Sequence, residues 1–294
     1  MGLRIRTNVA SLKAQRNFGL NSEAQTSSME KLSSGYRINK SADDAAGLAI
    51  TDTLLSKIRS ADQARRNAND GVSLIQVAEG SFNEVTNMLI RLRELATQAA
   101  SDTIGNTERS YANKEYIQLV DEIDRISNST EFNGMKLLQG AEGNGGVGEL
   151  SVHVGIGGDS ENNIDAIKVN IEDIKMGTVF LGLSKESEIG PIESGIEFSR
   201  STAAEKLTTI DVALKTIAGS RAVLGAKQSR LTSAVNNLGV QIENMNSSRS
   251  RIKDVDFASE SANLTQQSIL SQAGAAILTQ TNQLPQLALT LLRQ

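Results

Sequence analysis

The chain has 294 residues with two prolines, one histidine, no cysteine and no tryptophan; average usage of about 5% would give roughly 15 prolines, so long stretches run without a backbone breaker. With no cysteine there is no disulfide framework, Cys-ligated zinc, iron–sulfur cluster or thiol nucleophile, and a single histidine cannot supply a two-histidine metal motif, so no cofactor is expected. A net charge of -4 argues against a nucleic-acid binder, and neither a membrane span of about 18 apolar residues nor the apolar core of a cleaved secretory signal can be found.

Between Asn8 and Ser33, Val9, Leu12, Leu20, Ala24 and Leu32 fall at helical spacings among Ser, Gln and Asn, which predicts an amphipathic helix with a thin apolar stripe. Gly35 ends it with a left-handed turn. Ser41-Ala42-Asp43-Asp44 then supplies an N-cap and early acids for a second helix, expected to reach a loop or helix defect at Asn69-Asp70-Gly71. Beyond it Ile75, Ala78, Phe82, Val85, Leu89, Leu92, Ala96 and Ala99 alternate spacings of three and four, a heptad seam. After a polar turn near Asp102 to Asn106, Ala112, Tyr116, Leu119, Ile123 and Ile126 repeat the pattern on a shorter antiparallel helix that closes at Glu131-Phe132-Asn133-Gly134.

The middle differs in kind. Gly140, Gly143, Gly145, Gly146 and Gly148 read as a flexible connector, after which Leu150, Val152 and Val154, then Ile167, Val169 and Ile171, alternate with polar residues in strand fashion. A β-hairpin is expected, with a turn at Gly157-Gly158-Asp159, followed by an exposed loop over 184–202 that contains Pro191. The longest seam comes next: Leu207, Ile210, Leu214, Ile217, Leu224, Leu231, Val235, Leu238, Ile242, Met245 and Ile252, with Arg221, Gln228 and Arg249 in its gaps. Such a helix is about 69 Å long at 1.5 Å per residue and needs partner helices for its apolar edge. The gap residues either set register or lie where the seam meets solvent. From Phe257 onward the chain is Ser, Gln, Ala and Leu with one acid and one base. Its few large apolar side chains fall short of the entropy of ordering it, so this tail and the first helix are expected to be poorly ordered alone and to fold against partners. The fold class that results is mainly α: an elongated antiparallel helical rod or coiled coil with paired terminal helices and a small β-hairpin element.

Chemistry-bearing candidates are few. His153 lies in the alternating strand segment with no Ser or carboxylate placed to work with it, and reads as a solvated strand residue. Gly155-Ile156-Gly157-Gly158 precedes acids rather than a helix, and reads as a turn rather than a phosphate loop. Asp121, Glu122 and Asp124 read as a solvated helix face with an Asp121–Arg125 pair.

Two blocks carry more. Leu32-Ser33-Ser34-Gly35-Tyr36-Arg37-Ile38-Asn39, Asp43-Asp44-Ala45-Ala46-Gly47-Leu48-Ala49-Ile50, Arg66-Asn67-Ala68-Asn69-Asp70-Gly71 and Glu131-Phe132-Asn133-Gly134 closely resemble the amino-terminal region of bacterial flagellins. Leu224-Gly225-Ala226, Arg249-Ser250-Arg251-Ile252, Gln272-Ala273-Gly274, Asn282-Gln283 and Pro285-Gln286 resemble their carboxyl terminus. The resemblance covers roughly residues 1 to 140 and 205 to 294.

It implies a structural, non-enzymatic filament subunit that forms a homo-polymer through its terminal helices, exported unfolded by the flagellar type III apparatus and resident outside the cell on the flagellum. Residues 1–44 with 253–294 would form an inner coiled coil, and 45–252 a rod whose helices are 45–130 and 203–252, with a β-rich segment 140–183. The short loop 184–202 stands where larger members insert whole outer domains. Seam positions Leu89, Leu92, Leu214, Leu231, Leu238 and Ile242 would hold the rod, and Val9, Leu12, Leu270, Ile277, Leu287 and Leu291 the terminal assembly helices. Implied partners are an export chaperone at the C-terminal helix, filament cap and junction proteins, and a mammalian Toll-like receptor at Arg91, Leu95 and Glu115, with Ile90 where receptor-activating members carry glutamine. A hook–filament junction protein is the alternative within the same apparatus.

Overall fold

The computed structural model describes residues 8–141, 148–157, 165–178, 180–183 and 200–292. Its helices are α1 (Val9–Ser34), α2 (Ala45–Ala99), α3 (Asn106–Ser129), α4 (Arg200–Lys253) and α5 (Phe257–Leu292), and its strands β1 (Glu131–Phe132), β2 (Met135–Lys136), β3 (Glu149–His153) and β4 (Ala166–Asn170). The chain divides into one unit of residues 1–58 with 243–294 and a second of 59–242. Most of the expected Gly-rich connector, the hairpin tip from Gly158 and the loop around Pro191 lie outside the described residues.

The second unit contains α2 from Arg59 onward, and no break interrupts the helix there. The helix defect expected at Asn69-Asp70-Gly71 is absent. Among the buried positions, 61, 64, 68, 71, 75, 78, 82, 85, 89, 92, 96 and 99 form an unbroken alternation of three and four, widened by Leu74 and Leu95. Gly71 is therefore a seam residue. A Cβ there would stand 3.2 Å from both Val152 methyls and 3.3 Å from Leu231, so the glycine admits β3 and α4 to the helix backbone instead of ending it.

Facing α2, α4 buries Ile210, Ile217, Leu224, Leu231 and Leu238, every seventh residue. The alternate seam positions, Leu207, Leu214, Arg221, Gln228, Val235 and Ile242, are half-exposed. One heptad position faces the core and the other its rim, and the polar gap residues Arg221 and Gln228 belong to the rim. The two helices run antiparallel: Gly71 lies against Leu231, Glu79 within 3.9 Å of Arg221, and Arg93 bonds Asp211 at 2.8 Å.

Antiparallel to α2 as well, α3 joins it through Ser81–Thr130 at 2.9 Å and Arg91–Glu115 at 2.8 Å. Its buried positions are Arg109, Asn113, Tyr116, Val120, Ile123 and Ser127. Tyr116 and Ile123 match the sequence reading, whereas Ala112, Leu119 and Ile126 pack only at the core's edge. Arg109, a polar residue in that stripe, donates to the Ser101 carbonyl at 2.8 Å, just past the end of α2, where a positive charge suits the helix dipole.

A hairpin that the sequence reading did not anticipate follows: β1 and β2 pair across Asn133 (φ 52) and Gly134 (φ 80), the two left-handed residues of a tight Asn-Gly turn. It delivers Leu137 and Leu138 into the core. The expected hairpin is present as antiparallel β3 and β4, with Leu150 opposite Val169 and Val152 opposite Ile167. Asn67 of α2 donates to the His153 carbonyl at 3.2 Å, holding the sheet to the helix.

Leu231→Asp is expected to lower the stability of this unit by at least about 4 kcal/mol, since it places a charge in a packed seam, whereas Leu214→Asp at the rim costs less than half as much; urea midpoints measure both. Burial pushes the Tyr116 phenol up to about 12, and among the described residues its hydroxyl has no hydrogen-bond partner. The unfolded phenol ionises near pH 10 while the folded one stays neutral, so its contribution is complete below about pH 10 and lost as pH rises toward 12. Tyr116→Phe should flatten that alkaline decline and leave the midpoint at pH 8 unchanged or raised.

Candidate functional site

The first unit pairs α1 with α5, and the pairing is inverted. On α1 the sheltered positions are Ser11, Ala14, Phe18, Asn21, Gln25, Ser28 and Leu32, spaced three and four apart; on α5 they are Leu264, Gln267, Ser271, Gly274, Leu278 and Thr281, spaced likewise. This is heptad geometry with a small and polar lining, whose buried members are Ser11, Ser28 and Thr281. Gly274 lets Phe18 approach, since a Cβ there would touch its ring at 3.4 Å.

Apart from Phe18, Leu32, Leu264 and Leu278 on the seam, many large apolar residues point outward. Val9, Leu12, Leu20 and Met29 on α1, and Phe257, Ile269, Leu270 and Ile277 on α5, are exposed, Leu12 by 57% and Ile269 by 60%. Of the stripe expected for the first helix, Val9, Leu12 and Leu20 are thus exposed, whereas Ala24 and Leu32 are half-buried. Periodicity correctly locates an apolar stripe but does not say what covers it. The side chains of Leu287 and Leu291 lie outside the described residues.

Where α1 and α5 meet the neighbouring helices, two connectors are tied together. Gly35 (φ 74) closes α1 as a left-handed cap, as its sequence suggests. The Arg37 backbone N–H donates to the Lys253 carbonyl at 2.7 Å and its guanidinium to the Ile252 carbonyl at 2.6 Å, while Val255 N–H returns a bond to Gly35 at 3.1 Å. Asp44 caps α2 by accepting from Gly47 N–H at 2.9 Å. Asp43 accepts from the Asn39 and Lys40 amides, which hold its carboxyl below the usual range, the Lys40 amide contributing most.

On α2 of the second unit, Arg91 bonds Glu115 at 2.8 Å and Glu94 at 3.0 Å, both exposed pairs, and these acceptors raise its pKa further. Leu95 does not stand beside them on the surface: it is 2% exposed, inside the core. Leu89, Leu92, Leu231 and Leu238 are buried as seam residues, while Leu214 and Ile242 lie at the rim. Arg125 pairs with Glu122, at 2.6 Å and 2.7 Å, a bidentate fork one turn away. Thr178 donates its amide and hydroxyl to Asp124 at 3.0 and 2.8 Å, so that carboxylate ties a loop to α3. A Cβ at Gly155 or Gly157 would collide with the Asp165 carboxylate, so an internal acid fills the glycine turn. The ring Nε2 of His153 lies 3.2 Å from the Gly157 carbonyl. Among the described residues no helix is long and apolar enough to cross a membrane.

Residues 5–142 match the family model of the bacterial flagellin N-terminal helical region, and residues 207–292 that of the bacterial flagellin C-terminal helical region. The chain belongs to the bacterial flagellin family. It is similar to the flagellin of Halalkalibacterium halodurans, 39% identical over 98% of this chain and 99% of that one, and to the flagellin of Bacillus subtilis, 40% identical over 99% and 100%. A solved structure of a putative flagellar hook-associated protein from Vibrio parahaemolyticus superimposes with a TM-score of 0.58 over 72% of this chain and 100% of its own, at 14% identity, a likeness of fold alone. As a flagellin the chain is a structural subunit of the flagellar filament and forms a homo-polymer. The relatives lend no support to the junction-protein alternative.

Because Leu12 and Ile269 touch little within the chain, Leu12→Ser and Ile269→Ser should each change the thermal stability of the soluble subunit by no more than about 0.5 kcal/mol, read by circular dichroism.

Proposed function

We propose that polymerisation runs through the outward apolar faces of α1 and α5, with residues 1–44 and 253–294 as the inner layer of the filament and 45–252 as the rod around it. The inverted seam carries this reading. A helix pair that shelters Ser11, Ser28 and Thr281 while presenting Leu12, Leu20, Ile269 and Ile277 to water leaves its main hydrophobic gain uncollected. Neighbouring copies of the same two helices supply the missing cover, and contiguous apolar surface of this kind marks an association site. Val9, Leu12, Leu270 and Ile277 are the proposed contacts among the described residues; those expected at Leu287 and Leu291 fall on side chains outside them.

The same faces, open before assembly, give an export chaperone its docking stretch on α5 and give cap and junction proteins a surface at the filament ends. A pair that is marginal alone and firm in the polymer also suits delivery as an unfolded chain through the flagellar export apparatus to the cell exterior. The subunit needs no catalytic group for this work. With only the stretch 184–202 between the rod halves, the rod is the filament exterior, and there Arg91 and Glu115 are available to a Toll-like receptor. Leu95, buried, would act by fixing the helix beneath them.

Deleting Leu264–Gln294 should leave a soluble protein that forms no filaments, and Leu12→Asp with Ile269→Asp should do the same in the full chain; sedimentation and electron microscopy decide. Long filaments from either variant would overturn the reading.

A further inference from the structure

We propose that Asn8, Ser11 and Asn282, with the Thr281 carbonyl, form a polar lock that selects the register of α1 against α5, and thereby fixes which outward apolar residues stand side by side. The Asn8 side-chain amide donates to the Thr281 carbonyl at 2.9 Å, its oxygen accepts from the Ser11 amide at 3.1 Å, and the Ser11 hydroxyl donates to Asn282 Oδ1 at 2.8 Å. Ser11 and Thr281 are buried, each less than a tenth exposed.

A register device is needed here because the seam gives little choice. Both helices repeat every seven residues and most of their lining is small or polar, so a shift by one heptad exchanges Gly274 for Gln267 or Thr281 opposite Phe18, and only Phe18, Leu32, Leu264 and Leu278 have apolar contact to lose. What such a slip forfeits is the set of side chain to partner-helix bonds at the tip. The opposite end is held by the Arg37 and Gly35 bonds to residues 252–255, but a helix anchored at one end still leaves the far end of a 26-residue partner free to shift by local unwinding. Buried polar groups setting register at some expense of stability is a well-attested use of such residues in coiled coils. Asn8 has two roles, since it is also the N-cap of α1.

This inference rests on the assembly reading, and its test separates the two. The chain has no cysteine, so engineered pairs report alone. In the soluble full chain, Phe18→Cys with Gly274→Cys reports the register of the structure, and Phe18→Cys with Gln267→Cys reports a slip of one heptad; bonds within a chain are distinguished from bonds between chains by mass under denaturing conditions. Asn8→Ser keeps an N-cap but is too short to reach Thr281, and with Asn282→Leu it removes both inter-helix bonds. The double variant is expected to shift the ratio of in-register to slipped cross-links at least about fivefold toward the slip. An unchanged ratio would overturn the lock. Loss of both cross-links would overturn it too, because these residues would then hold the pair together without choosing its register. Normal filaments from Leu12→Asp with Ile269→Asp would count against the assembly reading and leave the cross-link ratio untouched.

Discussion

Leu231 and its heptad neighbours Ile217, Leu224 and Leu238 sit in the core of their unit, and the rest of the molecule is arranged around the requirement that a long helix have its apolar stripe covered along its whole length. On one side α2 covers it with a complementary seam. The antiparallel course follows from chain connection as much as from chemistry, and the ion pairs Arg93–Asp211 and Arg91–Glu115 sit on the exposed flanks, where they orient more than they stabilise.

Close approach is the second part of that constraint. Gly71, Ala61, Ala64, Ala68, Ala78, Ala96 and Ala99 lie on the buried face of α2, and small side chains there let the β3–β4 sheet and α4 reach its backbone. Bulk is supplied from the other side, by Leu231, Leu224 and Tyr116. A seam built in this way is thin, which is why one unsatisfied hydroxyl, that of Tyr116, stays in the core: the ring fills a volume that a smaller residue would leave empty.

These features also decide what could be read in advance. The second half of α2 and the whole of α4 were legible because Ile75, Phe82, Leu89 and Leu92, then Ile210 to Leu238, are large and strictly spaced. The first half of α2 was legible as a helix from its cap but not as a seam continuous with the second half, because alanine and glycine give little hydrophobic signal and Asn69-Asp70-Gly71 has the composition of a turn. On α3 Tyr116 and Ile123 were read correctly and Ala112, Leu119 and Ile126 one position off, since Arg109, Asn113 and Ser127 are buried polar residues that a hydrophobicity pattern assigns to solvent. Strands of two residues, β1 and β2, fall below any period, though the Asn133-Gly134 turn was a sufficient local sign. The candidate surface on α1 was found by its stripe, although periodicity did not say what covers it.

What covers that stripe is what distinguishes the two units. In the second unit hydrophobic burial and internal packing coincide, so the fold explains its own sequence. In the first they are largely separated: hydrogen bonds, small residues and a few apolar ones such as Phe18 and Leu278 join α1 to α5, while most of the large apolar residues are turned elsewhere. A pair built the other way, with Leu12 and Ile269 on the seam, would be a more stable subunit and would have spent its adhesive surface on itself. Filament formation demands the opposite allocation, in which the internal contact is specific and weak and the external one is apolar. Polar contacts suit the first task because their energy falls steeply with misalignment, and apolar contacts suit the second because they reward area with little regard to direction.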